Sequence, residues 1–185
     1  METATQMTTG TARLSYPQLW EAKSFKGGKP KFSATLLIPK TDKKTLDRIK
    51  SCVEAAKADG KDKSWKGSIP KDLDLPLHDG DADFNAGKKG EECKGHFYLN
   101  AKSEMKPVVL DEKGDEMLRQ ADVYAGCYVK AAINFFPYNN AGKGVGVGLN
   151  AIKKVKEGEP FSSRPSAEEL AEMFEDDEND AEGLV

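Results

Sequence analysis

The residue types best suited to binding chemistry lie on one face of a predicted strand in the second half of the chain. Residues 123–138 alternate in polarity, and the face predicted to pack in a core carries Cys127, Val129, Ala131, Ile133 and Phe135. The opposite face carries Tyr128, Lys130, Ala132, Asn134 and Phe136. Aromatic rings stack on nucleobases and lysines pair with phosphates, so this face is typical of a surface that binds nucleic acid.

A second predicted strand, residues 95–102, repeats the same mixture. Its apolar positions are Phe97, Leu99 and Ala101, and its outward positions are Tyr98, Asn100 and Lys102. Arg13 on an earlier strand and Lys31 after a lysine-rich loop add two cations. The predicted nucleic-acid contacts are therefore Arg13, Lys31, Tyr98, Asn100, Lys102, Tyr128, Lys130, Asn134 and Phe136. An ordinary solvated sheet face remains the alternative for each residue alone, because singly exposed aromatic side chains are common.

The charge of the chain is unevenly distributed. The net charge is -3, yet residues 166–185 hold nine of the 31 acidic residues and no lysine or arginine. The remaining 22 acidic residues face 28 basic ones, so residues 1–165 carry a net charge of +6. A basic body favours a polyanionic ligand, and salt should weaken that binding steeply.

The sequence predicts a division into a body, residues 1–160, and a disordered acidic tail, residues 161–185. The tail could be simple solubilising charge, a peptide that docks on partner proteins, or a competitor for the basic surface; its charge favours the last two. The predicted contacts of the tail with partners are Met173, Phe174, Asp176, Asp177, Leu184 and Val185.

Short alternating segments separated by glycine, proline and aspartate predict a mainly β fold, a β-barrel resembling an OB-fold. The predicted strands are residues 11–16, ended by Pro17, and residues 31–40, 95–102, 123–138 and 144–155, arranged as a meander. One helix between the early strands should begin after a Thr41/Asp42 cap and end at Gly60. Residues 61–92 are predicted to be long loops with at most a short strand.

Catalytic and metal-binding signals are weak. Cys52, Cys93 and Cys127 form no CxxC pair, so neither a disulfide framework nor a zinc site is predicted. Asp79, Asp81 and Asp83 alternate as in a calcium loop, but that loop would place Phe84 where glycine is required. We expect no enzyme, no metal and no cofactor, and a cytoplasmic protein without a membrane segment.

Five stretches spread over the body resemble those of a known family. They are ARLSYP (residues 12–17), SATLLIPK (33–40), PLHDGD (76–81), YAGCYVKA (124–131) and GKGVGVGLNAI (142–152). The chain resembles the single-stranded-DNA-binding proteins of bacteriophages, of the Enterobacter-phage type with an OB-fold body. His78 and Ala125 depart from the arginine and serine expected there.

The resemblance implies sequence-independent binding of single-stranded DNA during phage DNA replication, recombination or repair, without catalysis, in the host cell cytoplasm. It also implies that the acidic tail recruits replication or recombination proteins and regulates DNA binding. Weaker binding of double-stranded DNA and a homodimer stay open. A protein-interaction or virion-assembly module that uses the same sheet face is the main alternative, and a nuclease built on the three aspartates is another.

Overall fold

The computed structural model of the chain describes residues 3–24, 26–161 and 171. Eight strands and two α-helices follow one another in the described chain. They are β1 (Gln6–Thr8), β2 (Ala12–Lys23), β3 (Lys31–Pro39), α1 (Lys43–Lys63), β4 (His78–Asp79), α2 (Gly80–Asn85), β5 (His96–Ser103), β6 (Val108–Leu110), β7 (Tyr128–Tyr138) and β8 (Gly144–Lys156). Two single 3-10 turns, Glu91–Cys93 and Gln120–Asp122, lie in the connections.

Five of the strands close into a barrel in the order β7, β2, β3, β5, β8 and back to β7. The pair Ala12↔Val129 joins β2 to β7, and β5 meets β8 in parallel through Lys102↔Gly148. The prediction of an OB-like β-barrel is confirmed, whereas the simple meander is wrong. A meander has only antiparallel neighbours, but here β7 lies between β5 and β8 in the sequence and those two strands run parallel.

The predicted core faces are confirmed. The alternate residues of β7 from Val129 to Phe135 are at most 2 % exposed, and they pack with Leu36, Leu99 and Ile152 in one apolar cluster. Each fully buried leucine or isoleucine contributes roughly 1.5–3 kcal/mol relative to an exposed one. The barrel interior therefore supplies most of the apolar burial that stabilises the fold.

The predicted helix exists, and Asp42 caps it by accepting a hydrogen bond from the Thr45 N–H. Its buried residues, Leu46, Ile49, Cys52, Val53 and Ala56, join the barrel core. The helix does not end at Gly60, however, but runs on to Lys63. Gly60 is buried where a Cβ atom would lie 2.6 Å from both the Trp65 ring and Pro137 Cβ. The glycine serves close packing here, not helix termination.

Pro17 does not end its strand, as the sequence had suggested. The pairing of β2 with β3 shifts register between Ser15 and Gln18, and Tyr16 has a positive φ of 45°. A proline lacks the N–H that a ladder needs, and a bulge is a place in a strand where that loss is tolerated. The strand resumes after the bulge and continues to Lys23.

The secondary structure differs from the prediction in three further respects. The strand predicted to begin at residue 123 begins at Tyr128, because residues 123–127 form a turn in which the Cys127 N–H donates to the Tyr124 carbonyl. Residues 61–92 contain the end of α1, β4, α2 and a 3-10 turn as well as loops. The three-residue strands β1 and β6 were not predicted, because they are too short to show a period.

No helix in the described ranges is long and apolar enough to cross a membrane.

Candidate nucleic-acid interface

A groove of about 750 Å³ lies between β5, the β7–β8 hairpin and the segment before β4. Four of the predicted contacts line it: Lys31, Asn100, Lys102 and Phe136. His78 and Tyr138 line it as well, beside Asp74 and Glu104. The structure thus brings together cations, an amide and aromatic rings from strands that are far apart in the sequence.

Gly146 of β8 forms part of the floor of this groove. Phe136 pairs across the strands with Gly146, and Tyr138 pairs with Gly144. A Cβ atom on Gly146 would lie 2.6 Å from the Phe136 ring, so the ring lies directly over the glycine backbone. Phe136 remains 42 % exposed. Because Gly146 has no side chain, the ring packs close to the β8 backbone while much of it stays exposed.

Lysines connect the groove to a second, smaller pocket of about 230 Å³. Lys31 and Lys102 line both pockets, and Lys23 at the end of β2 and Lys29 from the β2–β3 loop also line the second one. In OB-folds this first loop and the second and third barrel strands bind oligonucleotides. The four ammonium groups are placed to neutralise the phosphates of an extended strand.

The Tyr138 side chain is held at the groove rather than left free. Its hydroxyl donates to Asp74 Oδ2 at 3.1 Å, and the Trp65 Nε1 donates to its carbonyl oxygen at 3.1 Å. Burial, reinforced by the hydrogen bond to Asp74, raises the pKa of the Tyr138 phenol. The phenol is therefore a neutral, fixed wall of the groove.

Tyr98 is not the exposed stacking surface that strand alternation had predicted. Its side chain points to the outer face, but the chain from β4 to the 3-10 turn at Glu91–Cys93 covers that face, and Tyr98 is only 5 % exposed. The hydroxyl donates to Asp83, and burial together with this hydrogen bond raises the pKa of the phenol well above its usual range. His78 stacks on the outside of the Tyr98 ring and itself lines the groove.

Arg13 is occupied by contacts within the protein. Its Nε donates to the Gly126 carbonyl at 3.0 Å and its Nη2 to the Glu159 carbonyl at 2.6 Å. The guanidinium also lies 4.3 Å from the centroid of the Phe161 ring. These contacts hold the end of the described body against β2 and use part of the guanidinium, and the contact of Arg13 with phosphate stays a prediction.

Tyr128, Lys130 and Asn134 lie outside the groove, further along the outer face of β7. Tyr128 is half-buried, with the Lys156 ammonium 4.6 Å from its ring centroid. Lys130 is exposed, and Asn134 Oδ1 accepts from Asn150 Nδ2 at 3.2 Å. These three predicted contacts share the face of Phe136 but not its pocket.

The three alternating aspartates have structural partners. Asp79 and Asp81 both form ion pairs of 2.7 Å with Lys40, and Asp83 accepts from Tyr98. The hydrogen bonds from Lys40 hold the pKa values of both Asp79 and Asp81 below their usual range. Within the described part of the chain, no group of three or more histidine, cysteine or acidic residues is placed to hold a metal ion.

His78, Tyr138 and Gly146 are among the groove residues that the sequence prediction missed. The repeat GVGVG carried a usable signal, because glycines at alternate positions of a strand mark a face that another group approaches closely. The predicted tail contacts Met173, Phe174, Asp176, Asp177, Leu184 and Val185 lie outside the described residues.

The strand order and the parallel closure of β5 on β8 define the chain as an OB-type barrel, with a groove on its surface. A family model described as "Enterobacter phage Enc34, ssDNA-binding protein" matches residues 5–184. The chain belongs to this family of phage proteins.

Individual proteins are also similar to this chain. "Putative protein p50" of Acyrthosiphon pisum secondary endosymbiont phage 1 is 31% identical over 157 residues, which are 81% of this chain and 83% of that protein. The single-stranded DNA-binding protein of bacteriophage Enc34, solved in complex with ssDNA, is 28% identical with a TM-score of 0.73, over 85% of this chain and 89% of the other. The gp2.5 protein of bacteriophage T7 shares the fold, with a TM-score of 0.59 at 18% identity over 87% of this chain and 97% of the other.

Proposed function

We propose that this protein binds single-stranded DNA without sequence preference, and that the groove between β5 and the β7–β8 hairpin holds the strand. One observation carries the proposal: an exposed aromatic ring and two lysines line the same groove. The ring is that of Phe136, which lies against Gly146, and the lysines are Lys31 and Lys102. The relative solved in complex with ssDNA supports it.

The chemistry of the groove fits a ligand of variable sequence. Every base has a π-face, so stacking on Phe136 would contribute roughly 1–3 kcal/mol whichever base is present. Lys31 and Lys102 would pair with phosphates, which carry no sequence information. Asn100 accepts a hydrogen bond of 2.8 Å from Thr35 Oγ1, which fixes its amide at the groove wall.

The proposed role is the protection of single strands in phage DNA replication, recombination or repair, without a catalytic step. In this proposal residues 1–160 form the DNA-binding domain, and residues 161–185 recruit partner proteins and compete with DNA. One contact supports the competition: Phe161 packs on Leu37, Cys93 and Tyr98, and Tyr98 lies directly behind the groove residue His78. Phe161, the first residue of the proposed tail, therefore packs against the cluster that contains Tyr98, on which the groove residue His78 stacks.

Fluorescence anisotropy tests the proposal. The full chain and a chain ending at Pro165 are titrated onto labelled oligo-dT and onto a matched duplex across a salt series. Tight binding to oligo-dT that weakens steeply with salt, and that strengthens without the tail, is expected. If neither chain binds at low salt, the proposal is wrong and the sheet face serves protein contacts instead.

A further inference from the structure

Two lysines lie directly opposite each other on the outer face of the β7–β8 ribbon, away from the groove. Lys130 of β7 pairs in register with Lys153 of β8, and both side chains are exposed. Like charges directly opposite each other on a sheet face destabilise the sheet. The Lys130–Lys153 pair therefore lowers the stability of the folded protein unless an anion binds between the two ammonium groups.

No anion of the described chain compensates this pair. Among the residues that the structure describes, no carboxylate forms an ion pair with Lys130 or Lys153. Lys156 increases the positive charge further along β8, where it lies over the Tyr128 ring. The three ammonium groups and the Tyr128 ring form what we call the ribbon cluster: Tyr128, Lys130, Lys153 and Lys156.

The ribbon cluster lies on the same face as the groove. From Phe136 that face of β7 continues through Asn134 and Ala132 to Lys130, six residues along the strand, which corresponds to about 20 Å. The surface between the two sites carries only short side chains, two alanines and two asparagines. Ala132 pairs with Ala151, and Asn134 accepts a hydrogen bond from Asn150. The register shift in the pairing of β7 with β8 leaves Asn150 on the outer face.

We propose that the ribbon cluster is a second phosphate-binding subsite, and that one DNA strand runs from the groove along the β7–β8 ribbon to reach it. This inference rests on the proposed binding of single-stranded DNA. An acidic protein segment is the other polyanion that could meet these lysines. Continuity with the groove along one face of β7 favours DNA.

The subsite predicts a dependence on DNA length. An oligo-dT of about 6 nucleotides should fill the groove alone, whereas one of about 16 nucleotides, the upper end of the OB-fold range, should reach both sites. In the full-length protein, the double variant Lys130→Gln/Lys153→Gln should bind the longer oligonucleotide about tenfold more weakly at about 0.1 M salt. Its salt slope should fall by about 1.4, at about 0.7 for each lost lysine–phosphate contact.

The short oligonucleotide and a matched control variant decide the outcome. Binding of the short oligonucleotide should be unchanged, and Lys43→Gln/Lys44→Gln, which removes the same charge from the exposed first turn of α1, should leave both lengths unchanged. An equal loss at both lengths would overturn the subsite, because the two lysines would then affect binding in the groove itself. Equal binding of the long oligonucleotide by variant and wild type would overturn it too. Failure of the wild-type protein to bind either length would instead refute the proposed function.

Discussion

The imidazole ring of His78 stacks on the phenol ring of Tyr98, with ring centroids 4.9 Å apart and planes inclined by 26°. Tyr98 is fixed from behind by Asp83 and by the apolar contacts of Leu37 and Cys93. His78 is therefore held rigidly at the groove wall, although it stands outside the set of residues that strand alternation had selected. A π-face of this kind costs little entropy to present to a base.

The stacked pair predicts opposite results for its two members. His78→Ala should weaken oligo-dT binding several-fold, by about 1 kcal/mol, and leave stability nearly unchanged. Tyr98→Ala should destabilise the fold by about 3 kcal/mol, because it empties a buried aromatic site. Anisotropy titrations and urea unfolding of both variants check this. A stable His78→Ala variant with unchanged affinity would remove His78 from the binding surface.

Phe136 is predicted to be the main stacking residue. Phe136→Ala should weaken oligo-dT binding by about 1–3 kcal/mol, since one base loses its aromatic partner, while the melting temperature changes little because the ring is 42 % exposed. Leu118→Ala is the matched control, because Leu118 is 87 % exposed and lies outside both pockets. Equal affinities of the two variants would contradict the stacking role.

The groove floor predicts a contrast between two glycines. Gly146→Ala should displace the flexible Phe136 ring, which lies 2.6 Å from the new Cβ atom, and should reduce DNA affinity with little loss of stability. In Gly80→Ala the new Cβ atom would lie 2.1 Å from the Cys93 carbonyl oxygen, which belongs to the backbone. That variant should lose about 1–3 kcal/mol of stability, although alanine is the better helix former. Thermal melts and DNA titrations of both variants test the contrast.

The Lys40 ion pairs predict a dependence of stability on pH. Hydrogen bonds from Lys40 depress the folded-state pKa values of Asp79 and Asp81. Their contribution is therefore present above the unfolded pKa of about 4 and is lost as pH falls through the depressed folded values. Lys40→Met should be less stable than the wild type at pH 7, and the difference should shrink in strong acid. Urea unfolding at several pH values measures it; a gap that is constant with pH would contradict this cause.

Lys57→Met is the control for that experiment. Lys57 pairs with Glu54 at 2.9 Å on the surface of α1, in an arrangement that contributes at most about 1 kcal/mol. The stability of the Lys57→Met variant should therefore stay close to that of the wild type at every pH.

The faces of the strands could be predicted because their cause is local. Side chains alternate along any strand, so the buried residues of β7 and the outward positions of Phe136 and Lys102 follow from the order of the residues alone. The helix after β3 was predictable for a similar reason, since its cap and its apolar period are both local.

Whether another segment of the chain covers an outward strand face has no such local cause. Alternation placed Tyr98 on the outer side, but the segment that covers it comes from residues 78–93, which show no period of their own. The contacts of Arg13 with Gly126 and Glu159 were hidden for the same reason, because they join residues 113 and 146 positions apart. The exposure of a side chain depends on the assembled barrel, whereas the sequence pattern predicts only the side of the strand on which that side chain lies.

The closure of β2 on β7 determines when the protein can fold during its own synthesis. Ala12 meets Val129 and Gln6 meets Asn134. Strand β2 can pair with β3 early, but β1 acquires its partner, and β2 its second partner, only after about seven tenths of the chain has been made. Chains dominated by such distant pairings fold slowly, and they expose apolar strands while they wait. We therefore expect the barrel to close only after β7 and β8 have left the ribosome, with closure rather than formation of α1 setting the folding rate.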